Sequence, residues 1–472
     1  MGAGPPNASG RLDSHTRGNH ALSTETASAN PPVEMAALES RAMSATLWTV
    51  LDYGSGQVLR VVNSLLLTRL LLPSAFGQMT LVITLIVGLA LLSDIGLAPS
   101  VIQSVRGDDP IFLNTAWTVQ VLRGVALWIV AVLLAWPASL FYHDRTLLYL
   151  LPVLALSTLI SSFNSTNLLT LSRHMGVRRL FGIDLSTQMV QLIVTVLWAW
   201  HSPSVWALVA GNVSSNLYKL ALSHHPRITP GIRNAFCWDR ESVLNIAHFG
   251  KWILLGTAFF FFASQGDRLI LGRHISFTML GIYGIAFSLS DIPRAVILAL
   301  SSKVGYPFIA RIIHLPRAVF RQKFLRYRRF ALLLGAVLLS AMVTWGGLLM
   351  KLYDHRYAEA SWMIPILALG LWHTLLYTTT GPVLFSLGKS KYNAAGNAAY
   401  CVGILAGIPL AFHFFGLYGA VWAVAAGDLP LYIVTQFGAT REGVRPLGQD
   451  LALTSFFIAL LLAGRMLHRS IF

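Results

Sequence analysis

The chain has 472 residues, 55% of them hydrophobic and only 11% charged, with a formal net charge of +16. Ordinary globular chains carry about 25% Asp, Glu, Lys and Arg, and the mean hydropathy here is +0.62, so lipid must be the solvent for most of this surface. That excludes a cytosolic, secreted or mainly nucleic-acid-binding protein, and the surplus of Lys and Arg reads as the charge of cytoplasmic loops.

Residues 1–43 are polar and rich in Gly, Pro, Ser, Asn and Thr. They hold no apolar run long enough for a signal-peptide core, and their composition predicts disorder. Met35 and Met43 stand just before the first apolar helix and are alternative starts to Met1. Thirteen candidate spans of about 20 residues follow. They lie near 45–71, 75–96, 112–136, 146–170, 181–200, 203–221, 247–271, 278–301, 329–350, 360–386, 392–413, 416–437 and 449–468. With the N-terminus in the cytoplasm, links after even-numbered spans carry roughly 20 Lys and Arg against roughly 5 on the other side, the asymmetry expected of cytoplasmic loops. The most basic link runs from Lys303 to Arg329 and suits anionic lipid headgroups or the head of an anionic substrate.

An internal echo joins the two halves. Arg69-Leu70-Leu71-Leu72 ends the first span and Phe76-Gly77 opens the second; Arg268-Leu269-Ile270-Leu271 ends the seventh and Leu280-Gly281 opens the eighth. An even number of spans separates the copies, so both halves share one orientation, as in parallel-repeat transporters. The expected fold is an all-α polytopic membrane protein. It has two pseudo-symmetric six-helix lobes, 44–221 and 247–437, a cytoplasmic linker at 222–246, and an additional membrane helix at 449–468.

A charge at bilayer depth is expensive and so faces a cavity or a partner. On the first span Thr49, Asp52, Tyr53, Gly56, Gln57, Arg60, Asn63 and Ser64 share one arc at helical spacing. Arg123, Lys251 and the run Asp291-Ile292-Pro293-Arg294 lie inside later spans, and Asp428-Leu429-Pro430 repeats the pattern. The candidate cavity residues are Asp52, Gln57, Arg60, Asn63, Arg123, Lys251, Asp291 and Arg294. Arginines in such a cavity suit phosphate or pyrophosphate, which they bind bidentately while staying charged. Pro293 and Pro430 break their helices and are candidate hinges, with a plain packing kink as the alternative. Asp267, Asp291 and Asp428 are candidates to bind a coupling cation or proton. Asp52 and Arg60 have a structural alternative too: engaging neighbouring helices to hold the bundle.

No GxxxxGK[ST] loop and no HExxH motif occurs, and Cys237 and Cys401 fit no metal or redox spacing. Asp354 and Glu359 share a short link that makes a poor catalytic pair. No metal site and no enzyme activity is expected.

Thr68-Arg69-Leu70-Leu71, Pro73, Phe76-Gly77, Asp94-Ile95-Gly96-Leu97 and Ile102-Gln103 resemble the opening of the Wzx-type polysaccharide flippases. These belong to the multidrug/oligosaccharidyl-lipid/polysaccharide exporter superfamily. The stretch from Gly266-Asp267-Arg268 to Gly272-Arg273, followed by Leu280-Gly281-Ile282-Tyr283 and Pro293, is similar to that family's junction of seventh and eighth helices. The resemblance covers 44–437. It implies translocation of an undecaprenyl-pyrophosphate-linked oligosaccharide from the cytoplasmic to the periplasmic leaflet of a bacterial inner membrane. It further implies alternating access of two lobes, a proton or sodium gradient or a membrane potential instead of ATP, and no other cofactor. The implied partners are membrane lipids, a polysaccharide polymerase and chain-length machinery, with no nucleic acid. Arg60 matches the cationic cavity that the family implies. Two rivals remain: a drug exporter of the same superfamily, favouring acids and an aromatic pocket, and a membrane polysaccharide polymerase or ligase.

Overall fold

The computed structural model describes residues 54–471 except 175, 302–304, 306–307, 310–311, 351–352 and 390. The expected N-terminal disorder, the choice of start and Asp52 lie outside the described residues. Every regular element among them is helical. In chain order these are α1 (54–70), α2 (Pro73–Leu92), α3 (Leu97–Gln103), α4 (Pro110–Phe141), α5 (Leu147–Ser162), α6 (Asn167–Arg173), α7 (Val177–His201) and α8 (Val205–His224). Then come α9 (Arg240–His274), α10 (Phe277–Ser290), α11 (Ile292–Leu300), α12 (Arg317–Leu349), α13 (Met363–Ser386), α14 (Lys391–Ala426), α15 (Leu429–Arg441) and α16 (Leu447–Ile471). Seven helices among the described residues are long and apolar enough to cross a bilayer. The number is nine if α5–α6 and α10–α11, bent by 63° and 42°, each count as one span.

The helix starts and stops follow from local chemistry. Pro73 and Pro110 open α2 and α4 where a missing N–H costs nothing. Asp109, Asp239 and Ser276 cap α4, α9 and α10 by accepting from backbone N–H groups. The expected eleventh and twelfth spans run on through α14, which turns at Gly416 with φ 59° and ψ −149°, a conformation open to glycine at little cost.

α4 packs on α5, α7 on α8 and α5 on α8, while α12–α16 pack among themselves. Across these groups α2 lies against both α9 and α10. The α2–α10 contact is backbone on backbone. A Cβ on Gly77 would sit 1.8 Å from the Phe277 carbonyl oxygen, and one on Gly281 would sit 2.0 Å from that of Pro73. The two glycines of the sequence echo therefore face each other across one seam, and only a residue without a side chain fits there.

The 3-10 helix His355–Trp362 reinforces the same end. Arg356 Nη2 donates to the carbonyls of Thr68 and Arg69, at 3.2 and 3.3 Å, and so caps the last turn of α1. Asp354 fixes that arginine, accepting from its Nε at 2.7 Å. The paired guanidinium and the Arg356 backbone N–H hold the Asp354 carboxyl down to about 2. Tyr357 is fully buried, edge-on to Phe76 at 6.1 Å.

At the opposite end of α4, residues 225–239 are strapped down. Asn167 donates to the Ile232 carbonyl at 3.0 Å and accepts from its N–H at 3.1 Å. Asn234 accepts from Ser165 Oγ at 2.6 Å and donates to Thr166 Oγ1 at 2.8 Å. Ser165, Thr166 and Asn167 sit at the α5–α6 bend, where Asn167 satisfies the backbone of the link. The additional helix, α16, is integral. Arg328 and Asp450, 0% and 2% exposed, form an ion pair between α12 and α16, and Trp372 of α13 stacks on Phe457 at 4.6 Å.

Candidate substrate cavity

Two interrupted helices build the site. α10 ends at Ser290, and Asp291 is at once its C-cap and the N-cap of α11. Pro293, which has no N–H, lies in the first turn of α11, where that N–H would have no partner within the helix. Asp428 likewise occupies the step between α14 and α15, with Pro430 two residues on. Freed backbone groups at such breaks need protein or water around them. A chamber of about 350 Å³ lies beside both.

α9 supplies Gln265 and Arg268 to its wall, α11 supplies Arg294, α13 supplies Thr374 and Tyr377, and α14 supplies Tyr400. Gly370 of α13 lets that helix press against the α14 backbone, where a Cβ would meet the Ala425 carbonyl oxygen at 2.3 Å. Val87 and Leu91 of α2 complete the lining from the other half of the chain.

The charges are not equivalent. Asp291 grips Arg294 bidentately, Nε to Oδ1 at 2.5 Å and Nη2 to Oδ2 at 2.8 Å, which cancels both. Arg268 donates to Gln265 Oε1 at 2.6 Å and lies over the Phe287 ring at 4.7 Å. Among the described residues no carboxylate stands within ion-pair distance of it. It is therefore the chamber's uncompensated cation, in a form that can accept an anion. Asp428 Oδ2 accepts a hydrogen bond from the Thr374 hydroxyl, and His373 Nε2 stands 2.6 Å from its Oδ1. That oxygen lies off the ring N–H direction, so the contact is an ion-pair approach short of an aligned hydrogen bond.

Of the residues expected from sequence, Asp291, Arg294 and Asp428 meet in this chamber. Pro293 and Pro430 flank it in the two breaks. Asp267 is 4% exposed and sits behind the wall, its Oδ2 accepting from Tyr283 at 2.5 Å and its Oδ1 without a partner. Gln57 and Asn63 are half-buried and Arg60 is exposed; none of them lines the chamber. Arg123 is spent on structure: Nη2 donates to the Ala90 carbonyl at 2.6 Å and Nε to Ser93 Oγ at 3.2 Å, fastening α4 to the end of α2. Lys251 lies on α9, and its side chain falls outside the described residues. Sequence reasoning missed Arg268, His373, Tyr377 and Tyr400 as site residues. Arg268 stood near the expected end of a span, where a cation reads as interfacial, but α9 continues to His274.

A family described as "Polysaccharide biosynthesis protein" matches residues 66–334. The chain belongs to that family. Among its relatives, the teichuronic acid biosynthesis protein TuaB of Bacillus subtilis is 21% identical over 366 residues, covering 75% of this chain and 73% of TuaB. The lipopolysaccharide biosynthesis protein WzxC of Escherichia coli is 22% identical over 282 residues, 58% of this chain and 56% of WzxC. Among solved structures, the lipid II flippase MurJ in an inward closed conformation superposes with a TM-score of 0.67 at 12% identity, over 91% of this chain and 98% of that one. An inward-facing multidrug-resistance MATE transporter of the MOP superfamily gives 0.66 at 13% identity, over 84% and 96%. The fold is that of these polytopic transporters, and the protein is a multi-pass membrane protein.

Proposed function

We propose that the protein flips a polyprenyl-pyrophosphate-linked oligosaccharide, a polysaccharide precursor, from the cytoplasmic to the periplasmic leaflet of a bacterial inner membrane. Two six-helix lobes, twelve spans in all, give alternating access to the chamber, with the N-terminus in the cytoplasm. The observation that carries the reading is Arg268. A half-buried guanidinium with no ion-pair partner among the described residues, beside the mutually neutralised Asp291–Arg294 pair, offers its positive charge to a pyrophosphate head. Hydroxyls and amides such as Gln265, Tyr377 and Tyr400 are suited to sugars. The prenyl tail stays in lipid, and the breaks at Pro293 and Pro430 act as hinges. Asp267, Asp291 and Asp428 are the acids available to an ion gradient. The protein performs no bond-making of its own and passes its product to a polymerase with chain-length machinery.

The test is polymer export in cells deprived of their native flippase. Arg268→Ala abolishes export while leaving the protein in the membrane, and Arg268→Lys keeps part of it. Unimpaired export by Arg268→Ala would overturn the assignment. A second reading, export of cationic drugs, draws on the chamber's aromatic rings, Phe260 and Phe287 among them, beside Asp428. Dye efflux without polymer export selects it.

A further inference from the structure

We propose that Gln265 is the positioning residue that makes the chamber selective for an anionic head, because it orients Arg268 without neutralising it. The assignment rests on the flippase reading of the same chamber. Gln265 and Arg268 stand three residues apart on α9, a spacing that puts both side chains on one helix face. The Gln265 amide oxygen accepts from Arg268 Nη1 at 2.6 Å, and the Ser264 carbonyl stands 3.5 Å from the same nitrogen. The Phe287 ring of α10 lies against the guanidinium at 4.7 Å. An acceptor at one corner and a ring on one face hold the group in place while it keeps its charge. Thr84 of α2, 1% exposed, donates to the same Gln265 oxygen at 3.5 Å. The amide is thus steadied from the other half of the chain.

The edge left open decides what binds. Arg268 engages its neighbours through Nη1, and its Nε and Nη2 have no acceptor among the described residues. Those two nitrogens present parallel N–H groups that match two oxygens of one phosphoryl group. A guanidinium already ordered by the protein binds such a group without a further loss of side-chain freedom. The chamber contains its own example of the fit. Arg294 uses its Nε–Nη2 edge to grip both oxygens of Asp291, again at a spacing of three residues. The two pairs share that spacing and differ in the first residue. A carboxylate there occupies the arginine's edge and cancels its charge. An amide there touches only the far corner and leaves edge and charge to a ligand.

The test is equilibrium dialysis of radiolabelled inorganic pyrophosphate against the purified full-length protein, with Arg268→Ala defining the share bound in the chamber. Gln265→Leu removes the acceptor and weakens that binding roughly tenfold, the factor for one hydrogen bond to a charged group. Gln265→Glu abolishes it, since the new carboxylate pairs with Arg268 as Asp291 does with Arg294. A merely structural role for Gln265 predicts that both variants bind like the parent per folded molecule, and that result overturns the proposal. Equal binding by the parent and Arg268→Ala overturns it too. Transport supplies a second readout, in vesicles with lipid-linked oligosaccharide extracted from a flippase-deficient strain. Gln265→Leu raises KM by a similar factor and leaves kcat near that of the parent; a lower kcat at unchanged KM overturns the positioning role. Absence of flipping by every form, the parent included, refutes the flippase reading, while dialysis still decides the role of Gln265. Should Gln265→Glu fail to fold, Gln265→Leu decides alone.

Discussion

Arg123, Arg268, Arg294 and Arg328 show how differently one residue type is spent within a membrane. Arg123 donates hydrogen bonds to a carbonyl and a hydroxyl at the end of α2. Hydrogen bonds from a charged group are worth roughly 1.5–3 kcal/mol, so Arg123→Ala should lower the melting temperature in detergent and reduce export only in proportion to folded protein. Export abolished at full folded yield would instead make Arg123 a substrate ligand. Arg328 is wholly buried against Asp450, with Thr379 and the Leu376 carbonyl as further acceptors. Removing one partner of such a pair costs about 3–5 kcal/mol, whereas replacing both by apolar residues of similar size is close to neutral. Arg328→Ala should therefore unfold readily, and Arg328→Met with Asp450→Leu should melt near the parent. Equal melting of the single variant and the parent would refute the ion pair as a structural fastening. Asp291, Arg294 and Asp428 were legible in the sequence because a charge beside a proline within an apolar run has few bland explanations. Arg268 and His373 were not: their importance depends on which carboxylates lie nearby, and a one-dimensional reading does not show that.

At the scale of elements, apolar run length was a good guide to where helices lie, because bilayer thickness fixes it. Past residue 72 each expected span falls on a helix, part of one, or two successive helices. It failed at one joint: the bend after Ser162 lies inside an expected span, whereas the turn at Gly416 falls at the expected break between the eleventh and twelfth spans. The Phe76-Gly77 and Leu280-Gly281 echo was visible as a repeat, but that its members touch was not. With Cβ positions 1.8 and 2.0 Å from opposing carbonyls, Gly281→Ala must force α2 and α10 apart. Hydrogen–deuterium exchange should rise across 73–80 and 277–284 in that variant; unchanged protection at both would refute the tight seam.

For the whole molecule, the seam, the Arg356 cap on α1 and the buried Tyr357 all close one end. Spin labels at the exposed positions Leu72 and Thr278 should report one short distance at rest and a second, longer population once lipid-linked oligosaccharide is added. A single unchanged distance in both conditions would rule out opening at that end. The seam also has a mechanical meaning. α2 has 20 residues and so reaches about 30 Å at 1.5 Å per residue. Pivoting by about ten degrees on a fulcrum at its first turn would sweep its tip through roughly 5 Å. The touching glycines would scarcely stir, while Leu91 and Ser290, at the long arms of the two levers and on the chamber wall, would travel furthest.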